Sequence, residues 1–295
     1  MLQNAIKAKR QNILSRIIVG KFQKVYIEIG DICGCECSFC PSPNMAKFGA
    51  MDLEVYKSIL AQIKGKTKAI CLHILGDPLA NANLNLYLNL ALDSNFNIDL
   101  VTTGKYLKNH DFAMLCKAHQ ISFSLSAFLD QNAKFKDDYI DNLLEFCKFK
   151  SAINSEIFIN FRVQKHMVNL DKFHLIKSKF EQFFGVKIDY QNNRFRLGYK
   201  IFLNYKEYFE WREPNSQNIQ KYCHGLSSQI GFKSSGVVVP CCIDANADIN
   251  LGDIKTQSLN EILASPKARN IIEGFKNGKA VEMLCKRCEY RAVLE

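Results

Sequence analysis

The chain has 295 residues, 47% of them hydrophobic, and a formal net charge of +10. That length can bury one large core and a smaller second module, and its apolar runs fall far short of the ~20 residues that span a bilayer, which excludes a helical membrane protein. No apolar stretch precedes a small-residue cleavage site, so the expected compartment is the cytoplasm and no membrane partner is expected.

Twelve cysteines in such a chain argue for metal binding over a disulfide framework. The positive charge favours anions, whether phosphorylated metabolites, acidic peptides or nucleic acid. Residues 1–23 carry Lys7, Lys9, Arg10, Arg16 and Lys21 without an acid, beside Ile6, Ile13, Leu14, Ile17 and Ile18 at helical spacing. They read as a basic amphipathic helix docked on the core.

From Lys24 onward, short β-branched runs alternate with segments of helical period, the pattern of a parallel α/β architecture. The spacing predicts strands at residues 24–30, 68–75, 97–102, 120–126, 155–163 and 185–190. Between them, helical stripes run through Tyr56, Ile59, Leu60 and Ile63; Leu84, Tyr87 and Leu88; Ile140, Leu143, Leu144 and Cys147; and Phe173, Ile176, Phe180 and Phe183. Right-handed crossovers would curl these six units into an open, partial parallel β/α barrel over residues 24–205, with chemistry gathered where strands end and loops begin. Residues 206–295 lose this alternation and read as a small cysteine-rich metal-cluster domain. Trp211 is expected to anchor that junction, and Cys71, Cys116 and Cys147 to lie in the core.

After the first strand comes Asp31-Ile-Cys33-Gly-Cys-Glu-Cys37-Ser-Phe39-Cys40-Pro41-Ser-Pro43. Prolines keep this C-x3-C-x2-C loop from becoming helix, so Cys33, Cys37 and Cys40 can converge. Three thiolates would leave one iron of a 4Fe-4S cube open; a structural zinc would need a fourth ligand, for which Cys35 is the neighbour at hand. The last third holds Cys223, Gly236-Val-Val-Val-Pro-Cys241-Cys242 and Cys285-Lys-Arg-Cys288, enough for one four-cysteine site of iron-sulfur or zinc through Cys223, Cys241, Cys285 and Cys288. Cys242 stands in reserve for Cys241, and His224 is read as incidental.

The first array, with Phe39 just before its last cysteine, resembles the radical S-adenosylmethionine (SAM) superfamily. The resemblance implies a 4Fe-4S cluster whose open iron chelates SAM, and reductive cleavage of SAM to a 5′-deoxyadenosyl radical that takes hydrogen from a substrate. It extends to Gly76-Asp77-Pro78 at the end of the second strand, where the family has a GGE or GEP motif at the SAM amino group, with Asp here in place of Glu. It also implies SAM contacts at Thr103, at Ser124 and Ser126, and from Arg162 to the SAM carboxylate. The C-terminal cysteines and Leu251-Gly252-Asp253-Ile254 resemble a shortened SPASM or twitch extension, which implies a second, auxiliary 4Fe-4S cluster. A reductant such as flavodoxin or ferredoxin, and a peptide or small-molecule substrate, are the expected partners. A different class of reading is a non-catalytic iron-sulfur or zinc protein that binds nucleic acid through its basic surface.

Overall fold

The computed structural model describes residues 22–132, 134–208 and 223–291; residues 1–21 of the N-terminal basic segment and Trp211 lie outside them. In chain order the elements are β1 (Lys24–Ile27), α1 (Leu53–Ile63), β2 (Ala69–Cys71), α2 (Leu84–Asp93), β3 (Asn97–Thr102), α3 (Phe112–Leu115), β4 (Gln120–Ser124), α4 (Leu125–Leu129), α5 (Tyr139–Ala152), β5 (Phe158–Gln164) and α6 (Asp171–Phe184). A hairpin of β6 (Arg194–Gly198) and β7 (Ile201–Lys206) follows, then β8 (Gln229–Phe232), β9 (Val237–Val239), β10 (Gly252–Asp253), α7 (Leu259–Ala264), α8 (Pro266–Lys276) and α9 (Met283–Arg287). Among the described residues no helix is long and apolar enough to cross a membrane.

The strands form one sheet in the order β10-β9-β8-β1-β2-β3-β4-β5-β7-β6. From β8 through β1 to β5 and on to β7 every pairing is parallel; β6, β9 and β10 pair antiparallel. The expected parallel α/β architecture is therefore observed, with one correction. Residues 185–190 are not the sixth strand: the amides of Val186 and Ile188 turn back onto Glu181 of α6, bonding its carbonyl and its carboxylate, instead of entering a ladder. The sixth parallel strand is β7, whose Ile201 to Lys206 pair with Ile159 to Gln164 of β5.

The strands alternate, and the alternation decides where the core lies. Val25 and Ile27, Ile70, Ile98 and Leu100, Ile121 and Phe123, and Ile159 and Phe161 are buried in the apolar cluster beneath the helices. The helices present the predicted stripes to it; Asp52 starts α1 by accepting from the amides of Glu54 and Val55 at 2.8 and 3.1 Å. Phe183, expected in the α6 stripe, is instead 42% exposed, and the stripe ends at Phe180.

The opposite face of the sheet is largely polar, with Phe158 and Phe202 among its apolar members. It carries Lys24 and Tyr26 on β1, Asp99 on β3, Gln120 and Ser122 on β4, Asn160 and Arg162 on β5, and Asn204 and Lys206 on β7, matched strand to strand by the ladder register or by its two-residue repeat. A closed parallel barrel fills this space with branched apolar side chains. Here the interior is a polar-lined lumen.

The cysteine-rich region is joined to this sheet through β8, which pairs with β1 along its full length. Buried Glu28, at the end of β1, accepts from Lys233 Nζ, from the amide of Leu75 at 3.1 Å and from the amide of Ser234 at 3.2 Å. One carboxylate thus ties together the ends of β1, β2 and β8.

Candidate iron-sulfur and cofactor site

The loops at the carboxyl ends of β1 to β4 meet at one end of the sheet, and each restrains the next. Asp31 opens the cysteine loop and also closes it, accepting from the amides of Phe48 at 2.5 Å and Gly49 at 3.0 Å. Lys47 crosses the same loop to the Asp31 carbonyl at 3.1 Å and the Ser42 hydroxyl at 2.7 Å. Between these anchors, buried Cys35 and Cys37 pack with Ala127 of α4, and Cys33, Phe39 and Cys40 lie against them. The tip is pinned from outside: Asp130, just past α4, takes the Ser38 amide at 3.0 Å and the Ser38 hydroxyl at 2.5 Å.

The β2 loop is packed against the β1 loop with no room between them. A Cβ on Gly76 would stand 1.8 Å from the Gly30 carbonyl oxygen, and the Asp77 amide donates to the Ile32 carbonyl at 3.0 Å. Gly76 therefore acts by close backbone approach. Pro78 begins a short 3-10 turn whose cap is Asp77, accepting from the Leu79 amide at 2.9 Å. The other Asp77 carboxylate oxygen takes the Thr103 amide at 2.8 Å and the Thr103 hydroxyl at 2.6 Å. Asp77 and Thr103, two expected SAM contacts, are thus bonded to each other. Burial raises the Asp77 pKa against the pull of these hydrogen bonds.

After β3, Lys105 donates to the Gly34 carbonyl at 2.6 Å. Gly34 has φ +68°, and a Cβ there would meet the Tyr106 hydroxyl at 1.9 Å, so this position too requires glycine. A cavity of about 350 Å³ opens beside Cys33 and Cys35, with Lys47, Lys105 and Lys134 on its walls. Ser124 ends β4 and stands in register with Arg162. Ser126 lies beyond the strand, in α4, where its hydroxyl accepts from the Gln164 amide at 2.9 Å.

The thiols of the first array act on one another: a hydrogen bond with Cys35 raises the Cys33 pKa and lowers that of Cys35, while burial pushes Cys37 up to about 12. In the second group, burial and then Cys242, Cys223 and Cys285 raise Cys241. Cys242 hydrogen-bonds Tyr26 of β1 and lies within electrostatic reach of Cys288. Cys241 thus interacts with Cys223 and Cys285, and Cys242 with Cys288 and with lumen-facing Tyr26. Among the described residues no group of three or more His, Cys, Asp or Glu side chains stands at metal-holding geometry. The donor chemistry fits iron-sulfur ligation at both places, since thiolates are its ligands and a metal ion deprotonates a coordinating thiol outright.

Residues 223–289 match the family model of SPASM, an iron-sulfur cluster-binding domain. The chain carries a SPASM domain. Its sheet is the β8, β9 and β10 edge described above, and its description is of an iron-sulfur rather than a zinc domain.

Three solved structures share the fold across most of the chain. BtrN in complex with AdoMet and 2-DOIA has 16% identity and a TM-score of 0.54, with 87% of this chain and 88% of that one covered. For anSMEcpe with bound AdoMet the identity is 15% and the TM-score 0.59, with 91% of this chain and 86% of that one covered. Streptococcus suis SuiB bound to precursor peptide SuiA has 16% identity and a TM-score of 0.56, with 100% and 75% covered. No curated protein sequence matches the chain. The partial barrel expected from the alternation of strands and helices, with the C-terminal SPASM-type domain expected from the resemblance, is the fold observed.

Several site residues escape a reading of the sequence. Asp130, Lys105 and the Glu28–Lys233 pair act through contacts between residues far apart in the chain, which no local motif announces. His73 is a strand residue to which the sequence assigns no partner. It stands edge-on to Tyr26 with ring centroids 5.7 Å apart, and burial lowers its pKa to about 3, leaving a neutral imidazole.

Proposed function

We propose that this chain is a radical SAM enzyme: it reductively cleaves SAM at a 4Fe-4S cluster held by Cys33, Cys37 and Cys40, and abstracts hydrogen from a substrate in the polar lumen. The observation that carries this is the clamped C-x3-C-x2-C loop at the carboxyl end of a partial barrel shared with AdoMet-bound proteins. When bound and reduced by a donor such as flavodoxin or ferredoxin, the cluster supplies the electron that splits SAM into methionine and a 5′-deoxyadenosyl radical.

The chain's own residues hold and orient the reactants. Asp31 ties the start of the ligand loop to its return and Asp130 holds its tip, so that the three thiolates would bind the cluster and leave a coordination position for SAM. Lys47 and Lys105 supply positive charge beside that position, suited to a cluster of thiolates and to the SAM carboxylate. Phe39 lies next to the array, where the family places adenine. Asp77 and Thr103 set the neighbouring loop, with Gly76 and Pro78 fixing its approach, and Ser124 offers a hydroxyl at the end of β4. Asp77 spends its carboxylate on Thr103 and Leu79, so this loop meets SAM through its backbone, and Ser126 supports the lumen wall through Gln164. The auxiliary 4Fe-4S cluster belongs to Cys223, Cys241, Cys285 and Cys288; four protein ligands leave it no open iron, which suits electron transfer or support.

Among the fold neighbours one is bound to a precursor peptide and another is in complex with 2-DOIA, and peptide and small-molecule substrates are both compatible with an open lumen. The test is anaerobic reconstitution followed by dithionite and SAM, with 5′-deoxyadenosine quantified by chromatography. Its formation is expected, reduced at least about a hundredfold by Cys37→Ala, a loss of transition-state stabilisation measured against wild type. Iron-loaded protein that yields none, or yields as much after Cys37→Ala, would contradict it.

A further inference from the structure

The lumen contains a concentration of positive charge that the SAM chemistry leaves without a task. On its β4, β5, β7 and β6 side a cavity of about 220 Å³ is walled by Arg162, Arg194 and Lys206, with Ser122, Asn160 and Asn204 among its other lining residues. Its floor is ordered: buried Asn204 donates its side-chain amide to the Asn160 side-chain oxygen at 3.1 Å. Among the described residues none of the three cations forms an ion pair, whereas the neighbouring Lys24 of the same face is paired to Asp99 at 2.6 Å. Burial lowers the Lys206 pKa, and Arg162 and Arg194 lower it further, as expected where cations face one another without an acid.

Two further observations point to a polar ligand on this face. Gln164 Oε1, in register with Lys206, and His73 Nδ1 are buried polar atoms without a hydrogen-bond partner among the described residues, and such atoms are rare in folded chains unless a ligand or ion completes them. Arg162 belongs to this side. It stands in register with Asn204 of β7 and lines the same cavity.

We propose that Arg162, Arg194 and Lys206 bind an acidic group of the substrate, a carboxylate or a phosphate, and so fix the substrate's register in the lumen. This names the substrate class within the radical SAM reading and rests on that reading for its catalytic meaning. The cations supply a planar fork, a second guanidinium and a point charge around one small polar cavity, a combination matched to the several acceptor oxygens of such a group. Arg162, expected from sequence on the SAM carboxylate, serves the substrate instead.

The test uses the full chain and needs no cluster, so its failure is distinct from failure of SAM cleavage. Inorganic phosphate and succinate are titrated calorimetrically at constant ionic strength, because exposed charge interactions are screened by salt. Saturable binding of at least one anion is expected, and the one that binds identifies the acid. Arg194→Met/Lys206→Met should weaken it about a hundredfold, two charge-assisted hydrogen bonds being removed, while Arg194→Lys/Lys206→Arg should retain it. No saturable binding of either anion, equal binding by wild type and the Met variant, or displacement by L-methionine, which would assign the cations to SAM, would each overturn the proposal.

Discussion

Ser38 is held twice by one buried carboxylate, through its amide and its hydroxyl, and those two bonds to Asp130 fix the stretch of loop between Cys37 and Cys40. Asp130→Ala would remove both hydrogen bonds to Ser38, worth about 0.5–1.5 kcal/mol each because Ser38 itself is exposed and water can take its donors. The expected result is a fall of at least about tenfold in 5′-deoxyadenosine formation, the scale set by ~1.4 kcal/mol, with Asp130→Asn recovering most of it because an acceptor oxygen is kept. Activity untouched by Asp130→Ala would show that the clamp does not position the thiols. At this scale the sequence announces the cysteines, whose spacing is local, and it announces Gly76-Asp77-Pro78 as a turn. It does not announce what Asp77 bonds. Thr103 lies 26 residues away, and a carboxylate expected to face a ligand is committed to a neighbouring loop.

Elements join through few but well-placed groups. Glu28 is fully buried and Lys233 nearly so, their charges 2.8 Å apart, and they hold the SPASM sheet to the barrel at the point where β8 meets β1. Removing one partner strands a buried charge, which is strongly destabilising, about 3–5 kcal/mol, whereas replacing both is far milder. Lys233→Met should therefore lower stability in urea by roughly 3 kcal/mol, with Glu28→Gln/Lys233→Met regaining much of the loss; additive losses in that double-mutant cycle would contradict the pairing. The sixth strand shows why element boundaries are less legible than element types. Val186, Ile188 and Tyr190 alternate like a strand, yet their segment folds back onto Glu181. Ile201 to Tyr205 form an almost unbroken apolar run interrupted by Asn204 and so show no alternation of period two, when they are the two faces of β7, one in the core and one in the lumen.

For the whole molecule, the parallel α/β plan is legible because apolar residues recur at periods of two and about 3.6 along the chain. The continuity of the sheet across the barrel and the SPASM domain is not, since β8 pairs with a strand roughly two hundred positions earlier. That continuity places Cys242 against Tyr26 and puts the second cysteine group beside the lumen. Two separate clusters are expected in the chain, one with an open iron for SAM and one fully ligated; this is the expectation on which the rest depends. Iron and sulfide analysis of anaerobically reconstituted protein tests it most directly. About eight irons per chain are predicted for wild type, about four for Cys33→Ala/Cys37→Ala/Cys40→Ala and about four for Cys285→Ala/Cys288→Ala, with SAM altering the cluster's electron paramagnetic resonance only where the first array is intact. About four irons with one bound zinc in wild type, or a SAM-dependent signal that survives loss of the first array, would contradict it.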